Sequence, residues 1–209
     1  MSENESGKKL LEFKDEDPKN KRRQLAEGLR KELREWIVSF VAALVLVVII
    51  RSFLFTIIRV DGPSMSDTLL DGDALFVNVL DMKLNQPERF DVVICRFPNR
   101  SDQYVKRVIG LPGDTLSVRG GVLYINDQPI EEPFLSEART VRFDKASNSF
   151  GPVRIPEGCY YVMGDNRDDS NDSRNVGMIT EDMFIGKVEY IIFPFHRIGA
   201  VGGSEEYAQ

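Results

Sequence analysis

The sequence is short of the side chains that most often bind metals or cross-link chains. Its 209 residues include one histidine, His196, and two cysteines, Cys95 and Cys159. No zinc-type Cys/His spacing can be drawn from so few ligands, and no cofactor motif replaces it. The two cysteines stand 64 positions apart, each in an apolar run. They allow one disulfide or two buried free thiols. Positive charge is also the minority sign: 27 Lys+Arg stand against 33 Asp+Glu, a formal net charge of -6. Nucleic acid is therefore a poor partner for the chain as a whole. Beyond residue 58 no helical period persists for more than about two turns, and the chain holds no internal repeat.

What is present begins with a charged stretch, residues 1–35, carrying ten Lys/Arg and nine Asp/Glu. Its second half, residues 21–35, reads as an exposed or interfacial helix, with Leu25, Leu29 and Leu33 four apart. Composition then changes sharply. From Ile37 to Ile50 only Ser39 is polar; Arg51 and Ser52 interrupt, and Phe53 to Ile58 resumes the apolar run. About 20 helical residues span a bilayer core, so residues 36–58 are read as one N-terminal transmembrane helix. Trp36 suits one interface, and Arg51 can snorkel toward the other. A buried core helix is rarely apolar on every face. A cleaved signal peptide has a shorter n-region and a small-residue cleavage site. A retained signal anchor fits better. Ten Lys/Arg precede it, whereas only Arg51 and Arg59 lie in or just after it. The expected placement is the cell (cytoplasmic) membrane, crossed once, with residues 1–35 a cytoplasmic tail. Residues 59–203 are then an extracytoplasmic domain, and residues 204–209 a short C-terminal tail.

That domain reads as mainly β. Short β-branched runs punctuated by turns suggest strands at residues 56–60, 74–79, 91–97, 104–109, 115–118, 122–125, 160–163 and 184–193. Gly120-Gly121 marks a hairpin, and residues 137–151 read as a polar connection.

Three clusters could carry chemistry: Gly62-Pro63-Ser64-Met65-Ser66-Asp67-Thr68-Leu69, Tyr104-Val105-Lys106-Arg107-Val108-Ile109-Gly110-Leu111-Pro112-Gly113-Asp114, and Gly164-Asp165-Asn166-Arg167-Asp168-Asp169-Ser170-Asn171-Asp172-Ser173-Arg174. Each has a plain explanation. A serine after Gly-Pro is usually a turn or cap residue. A lysine in an alternating strand usually faces solvent. The third cluster is a polar loop, or a calcium-like site lacking the Gly and terminal Glu of an EF-hand loop. A serine nucleophile needs a base, and His196, in a Phe-Pro-Phe-His-Arg run, reads as a strand end or turn. A lysine whose pKa is lowered by burial is the alternative, and Lys106 has apolar neighbours. The sequence does not fix which way Lys106 faces.

Together the three clusters resemble the conserved boxes of bacterial type I signal peptidases. Ser64-Met65-Ser66-Asp67-Thr68-Leu69 matches that family's S-M-x-P-T-L except at Asp67. The lysine cluster resembles its counterpart throughout, and residues 164–174 match G-D-N-R-D-x-S-x-D-S-R fully. The likeness runs over about residues 36–200. It implies a signal-peptidase-like antiparallel β-sheet catalytic domain behind the anchor. It implies a serine endopeptidase that removes signal peptides from exported preproteins at small-x-small sites, through an acyl-enzyme. Ser64 would be the nucleophile and Lys106 the general base. Ser170 would orient the lysine, Asp172 and Arg174 would form a supporting ion pair, and Arg107 would be structural. The Ser64 N–H would donate to the oxyanion; some members add a hydroxyl at the position of Gly62. Substrate would lie between residues 58–61 and 103–105, contacting Ile58, Val60, Tyr104 and Val105, with Met65 covering the site. Preproteins and the lipid bilayer are the implied partners, and no cofactor or metal is needed. Asp67 could point inward and favour the charged lysine, or cap the turn, which suits Asp better. Three other readings compete: an inactive relative that binds signal peptides, another Ser–Lys protease such as a self-cleaving repressor, and a non-enzymatic anchored β-scaffold. The apolar span and the complete third cluster weigh against the last two.

Overall fold

The computed structural model describes residues 18–66, 68–135 and 149–202, with backbone alone for residues 18–26 and 50–53. The expectations for Asp67, for the side chains of Leu25 and Arg51, for most of the 137–151 connection and for the C-terminal tail lie outside the described residues. The chain divides into two compact units, Met1–Ile49 and Ile50–Gln209.

The described residues of the first unit are helical. Helix α1 spans Pro18–Leu54, opening on a proline whose fixed φ suits a first helical turn. Its apolar side chains over residues 29–49 are exposed, Trp36 at 76% and Phe40 at 71%. The expected 36–58 span needs correction. The helix stops at Leu54, and residues 55–59 are a strand. Among the described residues no helix is long and apolar enough to cross a membrane. Charged residues continue to Glu35, and Arg51 and Ser52 interrupt the apolar run before the helix ends at Leu54.

The second unit is mainly β and wholly antiparallel in its pairings. In chain order it comprises β1 (Phe55–Arg59), β2 (Ala74–Asn78), the single turn α2 (Asp81–Leu84), β3 (Val92–Arg96) and β4 (Gln103–Gly110). There follow β5 (Thr115–Arg119), β6 (Val122–Ile125), β7 (Gln128–Ile130), β8 (Phe150–Arg154) and β9 (Cys159–Met163). The short helix α3 (Ser173–Val176), β10 (Ile179–Thr180), β11 (Phe184–Phe193) and β12 (Gly199–Ala200) complete it. An eight-stranded sheet runs β1-β2-β11-β3-β4-β9-β10, with β12 beside β11. A four-stranded sheet runs β7-β6-β5-β8.

Burial explains the composition of the strands. Residues 92–95 of β3 are all buried. Val92 and Ile94 pack into one core with Leu75, Val77 and Val188, whereas Val93 and Cys95 pack into another with Val108 and Val162. A strand covered on both faces has no polar alternation to show. The strands expected from sequence recur to within two residues at their ends. β7, β8, β10 and β12 were not anticipated. β8 opens at Phe150, in what reads from sequence as a polar connection, because its exposed and half-buried pattern carries little apolar periodicity.

Both cysteines are free. Cys95 is buried in the core with Phe97, and Cys159 packs against a different cluster with Tyr161. Burial pushes the Cys95 thiol up to about 12. Two thiols should be titrated per chain in denaturant without reductant, and the unfolding midpoint should be unchanged by dithiothreitol. A midpoint that falls on reduction would show a disulfide instead.

Candidate active site

Directly after β1 the chain makes a helical turn. The Ser66 N–H donates to Pro63 O at 3.0 Å and the Leu69 N–H to Met65 O at 2.9 Å. Ser64 sits near the start of this turn, half-buried. The turn is tied down from several directions. Asn166 donates its backbone N–H to Ser64 O at 3.0 Å and its side-chain amide to Pro63 O at 3.1 Å. The Thr68 hydroxyl donates to Asp165 at 2.6 Å, and Arg197 donates to Thr68 O at 3.2 Å. Gly62, at φ +97°, donates its N–H to Asp71 Oδ1 at 2.9 Å. That backbone is one that side-chain-bearing residues rarely adopt, so the glycine suits the entry to the turn.

Lys106 lies on β4, opposite Val93 of β3. It faces inward, with 2% of its surface exposed. Its Nζ is hydrogen-bonded to Ser64 Oγ at 2.7 Å and to Val105 O at 2.8 Å. Burial pulls the Lys106 ammonium below the ordinary lysine range, because a charge taken from water loses its hydration. The carboxylates of Asp172 and Asp165 act in the opposite sense without reversing the shift. A hydroxyl thus lies beside an amine whose surroundings favour the neutral form.

The next residue, Arg107, is completely buried on the other face of β4. Its guanidinium makes a two-pronged pair with Asp165, at 2.9 and 2.7 Å, and donates to Phe90 O and Gly202 O. Asp172 pairs with Arg174 at 2.9 and 2.8 Å and accepts the Gly164 N–H at 3.0 Å. Burial alone would raise the Asp172 carboxyl, but Arg174 and the Gly164 N–H hold it below the usual carboxylate range. Asp165 and Asp172 of the third cluster therefore face arginines, which accounts for them without a cation. Ser170 Oγ is buried beside the Asp172 carboxylate and is not bonded to Lys106; the bonds of Lys106 go to Ser64 and Val105 instead. Gly164 allows a close approach here. A Cβ on it would lie 2.3 Å from Ser170 Oγ and 2.4 Å from Ser64 O.

A groove of about 80 Å³ opens over the pair. Ile58, Arg59, Val60 and Asp61 line it from the end of β1, and residues 103–106 line it from β4. β1 pairs only with β2, and β4 pairs with β9 only from Arg107 onward. Among the described residues, both groove-lining segments therefore present edges without a strand partner. Met65 departs from expectation. It is fully buried in the core with Val60, Leu69 and Leu75 and does not line the groove, because the helical turn points it inward. Tyr104 and Val105 do line it. His196 lies exposed in the turn Phe195–Arg197, away from the groove lining. The grips made by Thr68, Asn166 and Asp165 on the serine turn were not singled out from sequence. Their signal was only that they stand inside the first and third clusters.

Residues 33–193 match a family described as signal peptidase, peptidase S26. The chain is 43% identical over 173 residues to signal peptidase I of Bacillus licheniformis, covering 81% of this chain and 93% of that one. It is 39% identical over 175 residues to signal peptidase I S of Bacillus subtilis (strain 168), covering 81% and 94%. It is 38% identical over 178 residues to signal peptidase IB of Staphylococcus aureus (strain Mu50 / ATCC 700699), covering 80% and 93%.

The buried lysine has a thermodynamic consequence. Its folded pKa lies below its unfolded value, so the unfolded chain binds the proton more tightly. Its penalty on stability is largest below the folded pKa and fades as pH rises toward the unfolded value of about 10.4. Lys106→Met should therefore be more stable than the parent at neutral pH, with the gap closing on approach to that pH. Denaturant midpoints of both proteins across the range test this; a gap that does not change with pH rules it out.

Proposed function

The chain belongs to the S26 family of signal peptidases, which are serine peptidases, and from this we propose that it removes signal peptides from exported preproteins by a Ser64–Lys106 mechanism. The observation that carries the mechanism is the 2.7 Å contact between Ser64 Oγ and a Lys106 Nζ that is almost wholly buried. Neutral Lys106 takes the hydroxyl proton as Ser64 Oγ attacks the scissile carbonyl carbon. The tetrahedral intermediate collapses, Lys106 protonates the departing amine, and an acyl-enzyme remains. Water, deprotonated by the same lysine, hydrolyses the ester and restores Ser64. The Ser64 backbone N–H donates to the oxyanion, since Gly62 offers no hydroxyl. Asp172–Arg174 and Arg107–Asp165 hold the third cluster and β4 in place. Ser170 serves the lysine only if its hydroxyl turns toward it in the substrate complex.

Substrate enters as an extended strand between the edges at residues 58–61 and 103–105. A groove of about 80 Å³ bordered by Ile58, Val60 and Val105 suits small side chains, in keeping with small-x-small cleavage sites. The apolar side chains of α1 are exposed over residues 36–49 and the apolar composition resumes at Phe53 and Leu54, which supports reading this helix as a membrane anchor ending at Leu54 rather than at residue 58. The charged residues before it stay in the cytoplasm, and residues 59–203 act on the exported side.

Purified full-length protein in detergent, given a preprotein with an A-x-A site, should cleave it. Ser64→Ala and Lys106→Ala should each lose about 10³-fold or more. Wild-type cleavage by Lys106→Ala sinks the lysine-base mechanism. Gly164→Ala should lose about a hundredfold in kcat, because the added methyl displaces Ser64 or Ser170. Near-parental turnover by this variant would show that the Gly164 contact does not matter to the reaction.

A further inference from the structure

The stretch after β7 leaves the smaller sheet and places two side chains on arginines of the second and third clusters. Glu132 faces Arg167, accepting from Nη1 at 3.0 Å and also from Nη2. Both side chains are buried, at 1% and 8% exposure. Two residues on, the Phe134 ring lies 4.0 Å from the Arg107 guanidinium carbon and 5.3 Å from the Phe90 ring.

Arg107 adjoins Lys106 in the chain, and Arg167 reaches Ser64 through Gly164. Arg107 follows Lys106 on β4, and its guanidinium joins that strand to Asp165, Phe90 O and Gly202 O. A ring on its open face closes it from water and leaves the planar group little freedom. Arg167 donates through Nε to Gly164 O at 3.1 Å. Gly164 is the residue packed so closely on Ser64 O that a Cβ would not fit. A carboxylate holding the other edge of Arg167 in a bidentate fork fixes the guanidinium in its plane.

We propose that Glu132 and Phe134 are positioning residues for the reacting pair: Phe134 steadies Lys106 through Arg107, and Glu132 steadies Ser64 through Arg167 and Gly164. The proposal rests on the Ser64–Lys106 reading above. It makes the smaller sheet, from which this strap emerges, a part of the reaction's geometry.

Steady-state kinetics of full-length variants on the A-x-A preprotein test it. Phe134→Ala should lower kcat by about tenfold to a hundredfold and leave KM within about threefold. Its acidic limb in the pH profile of kcat/KM should move up by about half a unit or more. Loss of the ring frees Arg107 and with it the adjoining backbone of β4, which loosens the packing around Lys106 on the opposite face, lessens its desolvation and raises its pKa. Phe134→Tyr keeps the ring and should restore both values. Glu132→Gln should lower kcat with KM retained, and Glu132→Asp should recover part of it. Circular dichroism and the unfolding midpoint establish that each variant is folded at the assay temperature. If Phe134→Ala does not fold, Phe134→Leu, which keeps the bulk and loses the ring face, takes its place with the same expectation. Parental kcat and an unmoved pH limb in the folded variant overturn the proposal. So does an activity loss that only tracks the folded fraction. An inactive Lys106→Ala beside an unaltered Phe134→Ala defeats the strap alone, whereas an active Lys106→Ala defeats the underlying mechanism.

Discussion

Arg107 and Asp165 meet in the interior with 0% and 1% of their side chains exposed. Their two-pronged contact joins three parts of the chain that are remote in sequence. Arg107 belongs to β4, Asp165 to the turn after β9, and Thr68 of the serine turn donates to the same carboxylate. The lysine strand, the polar third cluster and the nucleophile turn thus share one node. A buried pair of this kind adds little net stability, but losing one partner strands a charge, at a cost of about 3–5 kcal/mol. Its role here is one of register: it sets where Lys106 Nζ and Ser64 Oγ come to rest relative to each other.

The remaining contacts follow the same logic. Backbone from the third cluster holds the serine turn through Asn166, and Asp172 holds Gly164 from behind while Arg174 neutralises it. Few of these groups need to move during a reaction. A short helical turn, which would fray in isolation, is held by side chains from elsewhere in the fold. Arg197, near the end of the chain, reaches Asp73 and Thr68 O and closes the set.

Much of this was legible in the sequence, and the limits have physical causes. The strands with β-branched runs were found because burial on one or both faces writes itself into composition. β7 and β8 escaped because they are short and largely exposed, so few positions are constrained to be apolar. Ser64 and Lys106 stood out only in company, since a serine after Gly-Pro and a lysine in a strand are individually ordinary. Whether Lys106 faces inward depends on strand register, which a period-2 pattern loses when both faces are buried. Met65 was misplaced for a related reason: its neighbours in sequence are polar, but the turn aims it into the core. Ser170 was expected to touch the lysine, yet its hydroxyl orientation depends on a turn geometry that spacing alone does not encode. The apolar stretch was extended too far because residues 53–58 are as apolar as the helix before them, and only the pairing of Phe55 with Asn78 reveals the change to strand.

The two unpartnered edges bordering the groove have a consequence for the life of the protein in a crowded compartment. A free strand edge is a template for other chains, and β-rich proteins without some guard associate through such edges. Here the two edges border one narrow groove rather than an open sheet margin. Confining the edges to a narrow groove is itself one such guard, because a neighbouring sheet must lie flush along an edge to pair with it.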